Sequence, residues 1–266
     1  MALPIDIVLV RHGQSEGNVA KHLSESGNND LYTIEFRERY SSSFRLTDLG
    51  RHQAELAGVW IRKEFPGFDR YMVSEYLRAM ETAALLALPS AAWFADFYLT
   101  ERDWGELDIC PEDERQEKFG NALRHRRADP FFWRPPNGET FADLCLRVDR
   151  VLHTLHRECS DKRVVIVCHG EVMRAFQIRI ERMSQTRFRE LTFSKNSDDR
   201  IYNCQVMHYS RRQKGTGKLF PHMEWMRMIR PAEDPIWSTE WQPIQRPTYS
   251  KEELLEIVHR TPAMVR

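Results

Sequence analysis

No stretch of this 266-residue chain approaches the roughly 18 consecutive apolar residues that a membrane-spanning helix needs. Its apolar beginning, residues 1–10, lacks a basic segment and a small-residue cleavage site, as a secretory signal would require. The chain also has no excess of charge of either sign, since it contains 39 basic and 39 acidic residues. We therefore expect no membrane and no nucleic acid as partner.

Cysteine is scarce and scattered. The five cysteines contain no C-x-x-C pair and are Cys110, Cys145, Cys159, Cys168 and Cys204. An odd number at these spacings predicts neither a disulfide framework nor a zinc site, and we expect no metal and no cofactor. Cys145 and Cys168 lie within apolar patterns, which is typical of small core residues. This usage favours a reducing compartment, so we expect a cytoplasmic protein.

What the chain does contain is an alternation of strand and helix patterns. Apolar, β-branched runs at 5–10 and 164–168 predict buried strands, with shorter strands at 71–74, 92–94 and 203–209. Helical patterns lie between them at about 47–66, 75–88, 141–155 and 172–180. The alternation predicts an α/β protein, a three-layer α/β/α sandwich around a mostly parallel sheet.

Three segments depart from this alternation. The polar stretch 21–43 is predicted to be an irregular excursion, and about 108–136, charged and aromatic, to be an inserted lid. We place the main domain at 1–212 and a C-terminal extension at 213–266, packed on that domain or at a contact between two copies in a homodimer. The extension ends in a helix with a capping box formed by Ser250 and Glu253.

The chemistry is concentrated where two predicted strands end. The first strand leads into Arg11, His12 and Gly13, and the late strand leads into His169 and Gly170. Ligands of open α/β sheets bind outside the carboxyl ends of strands, so neighbouring strands would bring both histidines together. A guanidinium beside an imidazole suits gripping a phosphoryl group and attacking it with a ring nitrogen.

Three further segments carry the resemblance described next. They are 74–83, which contains Arg78, then Glu101, and then 136–140. With them the chain resembles the histidine phosphatase superfamily, or phosphoglycerate mutase-like family, over about 5–210. The resemblance implies a catalytic domain at 1–212, with His12 as a nucleophile that forms a phosphohistidine and Glu101 as the general acid. It implies a catalytic set of His12, Glu101, His169, Arg11 and Arg78. It also implies phosphate contacts from Arg11, Asn18, Arg78, His169, Gly170, Gln14 and Ser15.

These roles set physical requirements. His12 should be neutral, since nearby cations depress the pKa of an imidazole. Glu101 should hold a proton near neutral pH, so burial should raise its pKa. Charged side chains such as Arg102, Asp103 and Glu106 are expected to be solvated, as are 124–127, and His22 is a further candidate at the pocket.

A phosphatase and a mutase of this family differ in the molecule that accepts the phosphoryl group. The glycolytic mutases carry Asn-Ser after the second His-Gly, where this chain has Glu171 and Val172, and residues 132–140 are similar to fructose-2,6-bisphosphatase domains. We favour a metal-independent phosphatase acting on a phosphorylated small molecule or a phosphoprotein. The alternatives are a phosphoglycerate mutase-type phosphotransferase and a binding or scaffold protein on the same fold.

Overall fold

The computed structural model describes residues 2–264, which are built around one mixed sheet. Its strands are β1 (Asp6–Arg11), β2 (Arg70–Val73), β3 (Trp93–Ala95), β4 (Arg163–Cys168), β5 (Val206–Ser210), β6 (Trp225–Arg230), β7 (Trp237–Ser238) and β8 (Gln242–Pro243). The sheet order is β3-β2-β4-β1-β5-β6-β7, and β8 also pairs with β6. The first four strands in this order are parallel, and the pairings from β5 onward are antiparallel.

Helices connect and cover these strands. They are α1 (Glu16–Glu25), α2 (Ile34–Glu38), α3 (Asp48–Glu64), α4 (Leu77–Leu85), α5 (Glu112–Ala128), α6 (Phe141–Glu158), α7 (Gly170–Glu181), α8 (Gln185–Thr192) and α9 (Lys251–His259). Single 3-10 turns lie at Ser41–Ser43, Phe97–Leu99, Gly105–Leu107 and Ser197–Asp199. Among the helices of residues 2–264, none has the length and apolar character to cross a membrane.

The core consists of two apolar layers, one on each face of the sheet. Because successive strand residues point to opposite faces, Ile7 and Leu9 join a cluster that includes α6 and α7. Val8 and Val10 instead join the cluster that includes α3 and α4. The predicted α/β class with a mostly parallel central sheet is confirmed.

The clearest predicted helix forms for the expected reason. Thr140 and Asp143 make a reciprocal capping box at the start of α6. The apolar stripe from Phe141 to Leu155 is buried against the sheet. This places the preceding loop, and Glu101 beyond it, at a fixed distance from the strand ends, since Arg147 of α6 donates to the Thr100 carbonyl at 3.1 Å.

The prediction of an irregular excursion at 21–43 is wrong, because this stretch contains the end of α1 and the short helix α2. The segment predicted as a lid, about 108–136, contains the 17-residue helix α5, which the sequence pattern did not indicate. Helix α5 buries none of its residues, so it has no apolar stripe for a sequence pattern to detect. Its first turn is acidic and its last turn is basic, which complements the helix dipole.

The chain after residue 212 continues the sheet. Strand β6 pairs antiparallel with β5, and β7 and β8 pair with β6. Trp241 packs edge-to-face against buried His208 of β5, with ring centres 4.7 Å apart. Helix α9, with the predicted capping box at Ser250, is exposed along its whole length. The five cysteines, all free, are buried, as expected for Cys145 and Cys168.

Candidate active site

The two histidines meet because β1 and β4 are adjacent and parallel. Arg11 pairs with Cys168 in the register, so His12 and His169 follow at the same edge of the sheet. Both rings are buried, and their centres lie 5.1 Å apart in an edge-to-face arrangement. The convergence expected from the two strand patterns is confirmed.

The hydrogen bonds of His12 fix its tautomer. Its Nδ1 lies 2.7 Å from the Gly13 carbonyl oxygen, which can only accept, so Nδ1 carries the proton. Arg78 Nε donates to His12 Nε2 at 3.2 Å, and Nε2 therefore presents its lone pair. Burial, followed by the charges of Arg78 and Arg11, lowers the pKa of His12 well below its usual value. The ring is therefore neutral, and its orientation is fixed by the Gly13 carbonyl and by Arg78.

Two arginine side chains lie beside His12, and backbone carbonyl groups hold each of them in place. Arg11 Nη1 donates to the Ile201 carbonyl at 2.5 Å, and Arg78 Nη1 donates to the Ser41 carbonyl at 2.6 Å. Arg11 Nε is buried and has no hydrogen-bond partner among residues 2–264. The geometry leaves a buried cationic donor unused next to the histidine pair, where an oxyanion would complete it.

His169 offers a second unused atom. Its Nε2 lies 2.7 Å from Ser74 Oγ, while its buried Nδ1 contacts no partner within the described part of the chain. Ser74 Oγ also accepts from the Tyr76 N–H at 3.3 Å, and its own proton can be donated to His169 Nε2. In that tautomer the ring proton of His169 is on Nδ1, an unused donor in a ring that packs against His12.

Glu101 lies half-buried on the other side of the cavity. Burial is the largest influence on its carboxyl group, and the negative charge of Glu171 adds to it, so that its pKa rises to about 7. Arg78, the Arg102 N–H and Arg11 oppose the rise without cancelling it. The direction is the one expected of a carboxyl group that donates a proton at neutral pH.

The predicted phosphate contacts divide into two groups. Ser15, Asn18 and Gly170 line the cavity with Arg11, His12, Arg78 and Glu101. Asn18 Oδ1 accepts from the Ser15 N–H at 3.1 Å, which leaves its amide group to donate to a ligand. Gln14 lies outside this group, and its side-chain oxygen accepts from the Thr47 hydroxyl at 2.8 Å. Its contact with phosphate stays a prediction.

Sequence reasoning missed several residues at this site. Arg102, expected to be solvated, is buried and donates from Nε to the Glu139 carbonyl at 2.8 Å. Its Nη1 lies 3.7 Å from Glu171 Oε1, and that carboxylate also accepts from Trp104 Nε1 at 3.0 Å. Arg126 of the lid helix reaches the cavity over the Trp104 ring. His22, by contrast, is exposed outside it.

The cavity has a volume of about 690 Å³ and is partly covered by α5. The lid helix is tied to the preceding segment by the Arg37–Glu114 ion pair, and the Glu112 N–H donates to Ser24 Oγ at 2.7 Å. In residues 2–264, no three or more His, Cys, Asp or Glu side chains cluster as metal ligands would. The cavity therefore brings together arginine side chains, the neutral His12 ring and Glu101, whose pKa is raised to about 7.

The family model described as "Histidine phosphatase superfamily (branch 1)" matches residues 7–204, well over half of the chain. The chain belongs to the histidine phosphatase superfamily. The resemblance carried by the motifs is thereby confirmed, and the superfamily places the chain among phosphoryl-transfer enzymes.

Relatives of this member of the superfamily include 2,3-bisphosphoglycerate-dependent phosphoglycerate mutases. That of Azorhizobium caulinodans is 32% identical over 184 residues, which cover 67% of this chain and 82% of the mutase. That of Methylobacterium radiotolerans is 29% identical over 191 residues, which cover 70% and 83% of the two chains.

Solved structures show the same fold at lower identity. A mycobacterial glucosyl-3-phosphoglycerate phosphatase in complex with inorganic phosphate aligns with a TM-score of 0.58 and 20% identity, over 77% of this chain and 89% of that one. A putative alpha-ribazole-5'-P phosphatase from Escherichia coli aligns with a TM-score of 0.60 and 19% identity, over 83% and 96%. These likenesses concern the fold alone.

Proposed function

We propose that this histidine phosphatase superfamily member is a phosphomonoesterase that works through a phosphohistidine on His12 without a metal ion. The supporting observation is the pair of unused buried atoms, Arg11 Nε and His169 Nδ1, beside the lone pair of His12 Nε2. With Arg78 they supply positive charge and donors where a metal would otherwise be needed. A protein that only bound phosphate would need neither an oriented nucleophile nor a general acid.

The first step forms a bond between His12 Nε2 and phosphorus and breaks the bond between phosphorus and the leaving oxygen. Arg78 Nε, which donates to Nε2 in the free site, turns to a phosphoryl oxygen as Nε2 is consumed. Arg11, His169 and the Asn18 amide hold the other phosphoryl oxygens. Glu101 gives its proton to the leaving oxygen, which departs as an alcohol.

The second step returns the enzyme to its starting state. Glu101, now a carboxylate, removes a proton from a water molecule while the oxygen of that water attacks phosphorus. The bond between phosphorus and His12 Nε2 breaks, and inorganic phosphate leaves. The proton on His12 Nδ1 never moves, because the Gly13 carbonyl holds it through both steps.

The cleft favours water as the acceptor and a small molecule as the substrate. A mutase must enclose its intermediate against water, whereas this cavity of about 690 Å³ is open at one side. A phosphorylated protein side chain is short and would draw its main chain under α5, which the Arg37–Glu114 pair ties down. A phosphorylated small molecule has no main chain to place under α5.

A mutase activity is the second candidate, because the relatives at about 30% identity are phosphoglycerate mutases. Proteins of the same fold, among them a glucosyl-3-phosphoglycerate phosphatase, support hydrolysis instead. The two reactions share the first step and differ in the acceptor. One set of assays therefore compares them directly.

The test measures phosphate release in EDTA from aryl phosphate, sugar phosphates, 3-phosphoglycerate and a phosphopeptide, with 2-phosphoglycerate formation followed in parallel. We expect release by the wild type and a loss of at least about a thousandfold in His12→Ala. His22→Ala, an exposed histidine outside the cleft, is the matched control. Isomerisation without phosphate release would replace the proposal with a mutase, and release by His12→Ala would end it.

A further inference from the structure

We propose that this protein forms a symmetric dimer in which helix α9 of each copy docks in a groove on the other copy. The inference goes beyond the proposed function and does not depend on it. Helix α9 lies outside the 7–204 stretch that the family model matches, so membership of the superfamily implies nothing about it. The basis is an amphipathic helix without support, a groove of matching chemistry, and the short connection between them.

Helix α9 has an apolar face that packs on nothing within the described part of the chain. Four apolar side chains share this face, because their spacing is i, i+1, i+3 and i+4. They are 44% to 63% exposed and are Leu254, Leu255, Ile257 and Val258. A free helix of nine residues is only marginally stable in water, since packing of an apolar face supplies most helical stability in proteins. Helix α9 therefore needs a partner surface.

The C-terminal extension forms a groove with apolar surface of the kind that receives such a helix. This groove, called here the extension groove, has a volume of about 850 Å³ and lies between α7–α8 and the strands of the extension. Its apolar lining residues, all partly exposed except Met226, are Met183, Leu191, Ile201, Met226, Met228 and Trp237. The flexible thioethers of methionine adapt to an apolar helix face, and amphipathic helices dock in grooves of this composition.

The charges that remain free in the extension groove are positive. The guanidinium groups of Arg174 and Arg200 line it and have no carboxylate partner among residues 2–264, and Arg200 is exposed. The acidic side chains of the lining are already engaged inside the protein: Asp198, Asp199 and Glu181 accept from Arg230, the Ser194 hydroxyl and the Tyr209 hydroxyl, respectively. An occupant with negative charge beside an apolar face therefore suits the groove.

Helix α9 carries that combination. Residues 251–260 contain three glutamates against one lysine and one arginine. Glu252 and Glu253 lie in the first turn, and Glu256 makes only an exposed ion pair with Arg260 at 3.0 Å. The same carboxylates oppose a membrane as the partner, because membrane surfaces that contain anionic lipids are negatively charged. The charge pattern favours the extension groove.

The connection to α9 favours the groove of a second copy. Thr248 lines the extension groove, and only Tyr249 separates it from Ser250, the N-cap of α9. The capping box of Ser250 and Glu253 fixes the first turn, so the chain would have to reverse within this connection for α9 to enter its own groove. Short hinges of this kind lead to exchange between copies. Since each copy has one helix and one groove, the contact closes as a two-fold dimer.

Sedimentation velocity measures the association directly. We expect a monomer at about 1 µM and mainly a dimer at about 200 µM, with a Kd of about 10 µM, because the contact is small. Leu254→Gln, on the apolar face of α9, and Met183→Gln, in the extension groove, should each raise the Kd at least about fivefold. Glu256→Gln, on the opposite face of α9, and Leu219→Gln, an exposed apolar residue outside the groove, are the matched controls. They should change the Kd less than about twofold.

Hydrogen exchange shows whether α9 is the contact. Its amide hydrogens should exchange about fivefold more slowly at about 200 µM than at about 1 µM, where the monomer dominates and α9 adds no stability. The Kd should rise with NaCl, because salt screens the charges of the helix and the groove. A monomer at about 200 µM, an unchanged Kd in Leu254→Gln, or protection of α9 that is independent of concentration, as in its own groove, would each overturn the inference. These measurements involve no turnover, so they decide the dimer whether or not the protein hydrolyses phosphate esters.

Discussion

At the scale of single residues, the protonation of Glu101 links the structure to a pH profile. Its pKa of about 7 means that the carboxyl group holds its proton in acid and loses it as the pH rises through neutrality. We expect kcat/KM for an alkyl phosphate to fall above pH 7, because the leaving alkoxide then has no proton donor. An aryl phosphate, whose leaving group is stable as an anion, should show a much smaller fall.

The Glu101→Gln variant provides the control for that profile. It should lose about a hundredfold or more in kcat/KM with the alkyl phosphate and much less with the aryl phosphate. The ionisation of the substrate is the same for both enzymes, so it cancels in the ratio of their profiles. Equal losses on both substrates would remove Glu101 from the role of acid.

Glu171 has a separate, measurable effect on the same profile. Its negative charge is the second influence that raises the pKa of Glu101. In Glu171→Gln that charge is absent, so the pKa of Glu101 should fall and the alkaline decline of kcat/KM should begin at a lower pH. Glu106→Gln, an exposed residue that does not line the cleft, should leave the decline in place. A shift toward higher pH would contradict the electrostatic explanation.

At the scale of secondary-structure elements, α5 and α6 are nearly equal in length but differ in how they are stabilised. Helix α6 buries six residues, whereas α5 buries none and depends on its dipole charges and on two contacts to the preceding segment. We expect amide hydrogens of α5 to exchange at least about a hundredfold faster than those of α6. Mass spectrometry of exchange measures both helices in one sample, and equal protection would mean that the lid is not a separately opening unit.

The same contrast explains which elements the sequence predicts. Strands β1 and β4 and helix α6 bury regular apolar faces, so their patterns specify both the element and its orientation, and His12 and His169 follow. Helix α5 has no buried face, and the burial of Arg102 depends on Glu139 and Glu171, which are distant in the sequence. Local patterns contain no information on such partners, so the meeting of His12 and His169 could be predicted and much of the cleft wall could not.

At the scale of the whole molecule, the extension is part of the sheet rather than an attachment to it. Strand β6 pairs with β5, which pairs directly with β1, the strand that leads into His12. Buried Asp6 of β1 accepts from His208 Nε2 of β5 at 3.0 Å, and Trp241 covers that histidine. Removal of residues 213–266 would expose the β5 edge and this buried pair to water.

Two truncations therefore have different expected outcomes. A chain ending at residue 212 should fail to fold to a cooperative state, because it loses the strand, the aromatic cover and the Arg230 contacts to the active-site wall. A chain ending at residue 250 lacks the exposed helix α9 and the seven residues after it, and should melt within about 2 °C of the full chain. Thermal unfolding followed by circular dichroism distinguishes them. If the 212-residue chain melts like the full one, the sheet does not depend on β6; if the 250-residue chain melts much earlier, α9 has a stabilising contact in solution.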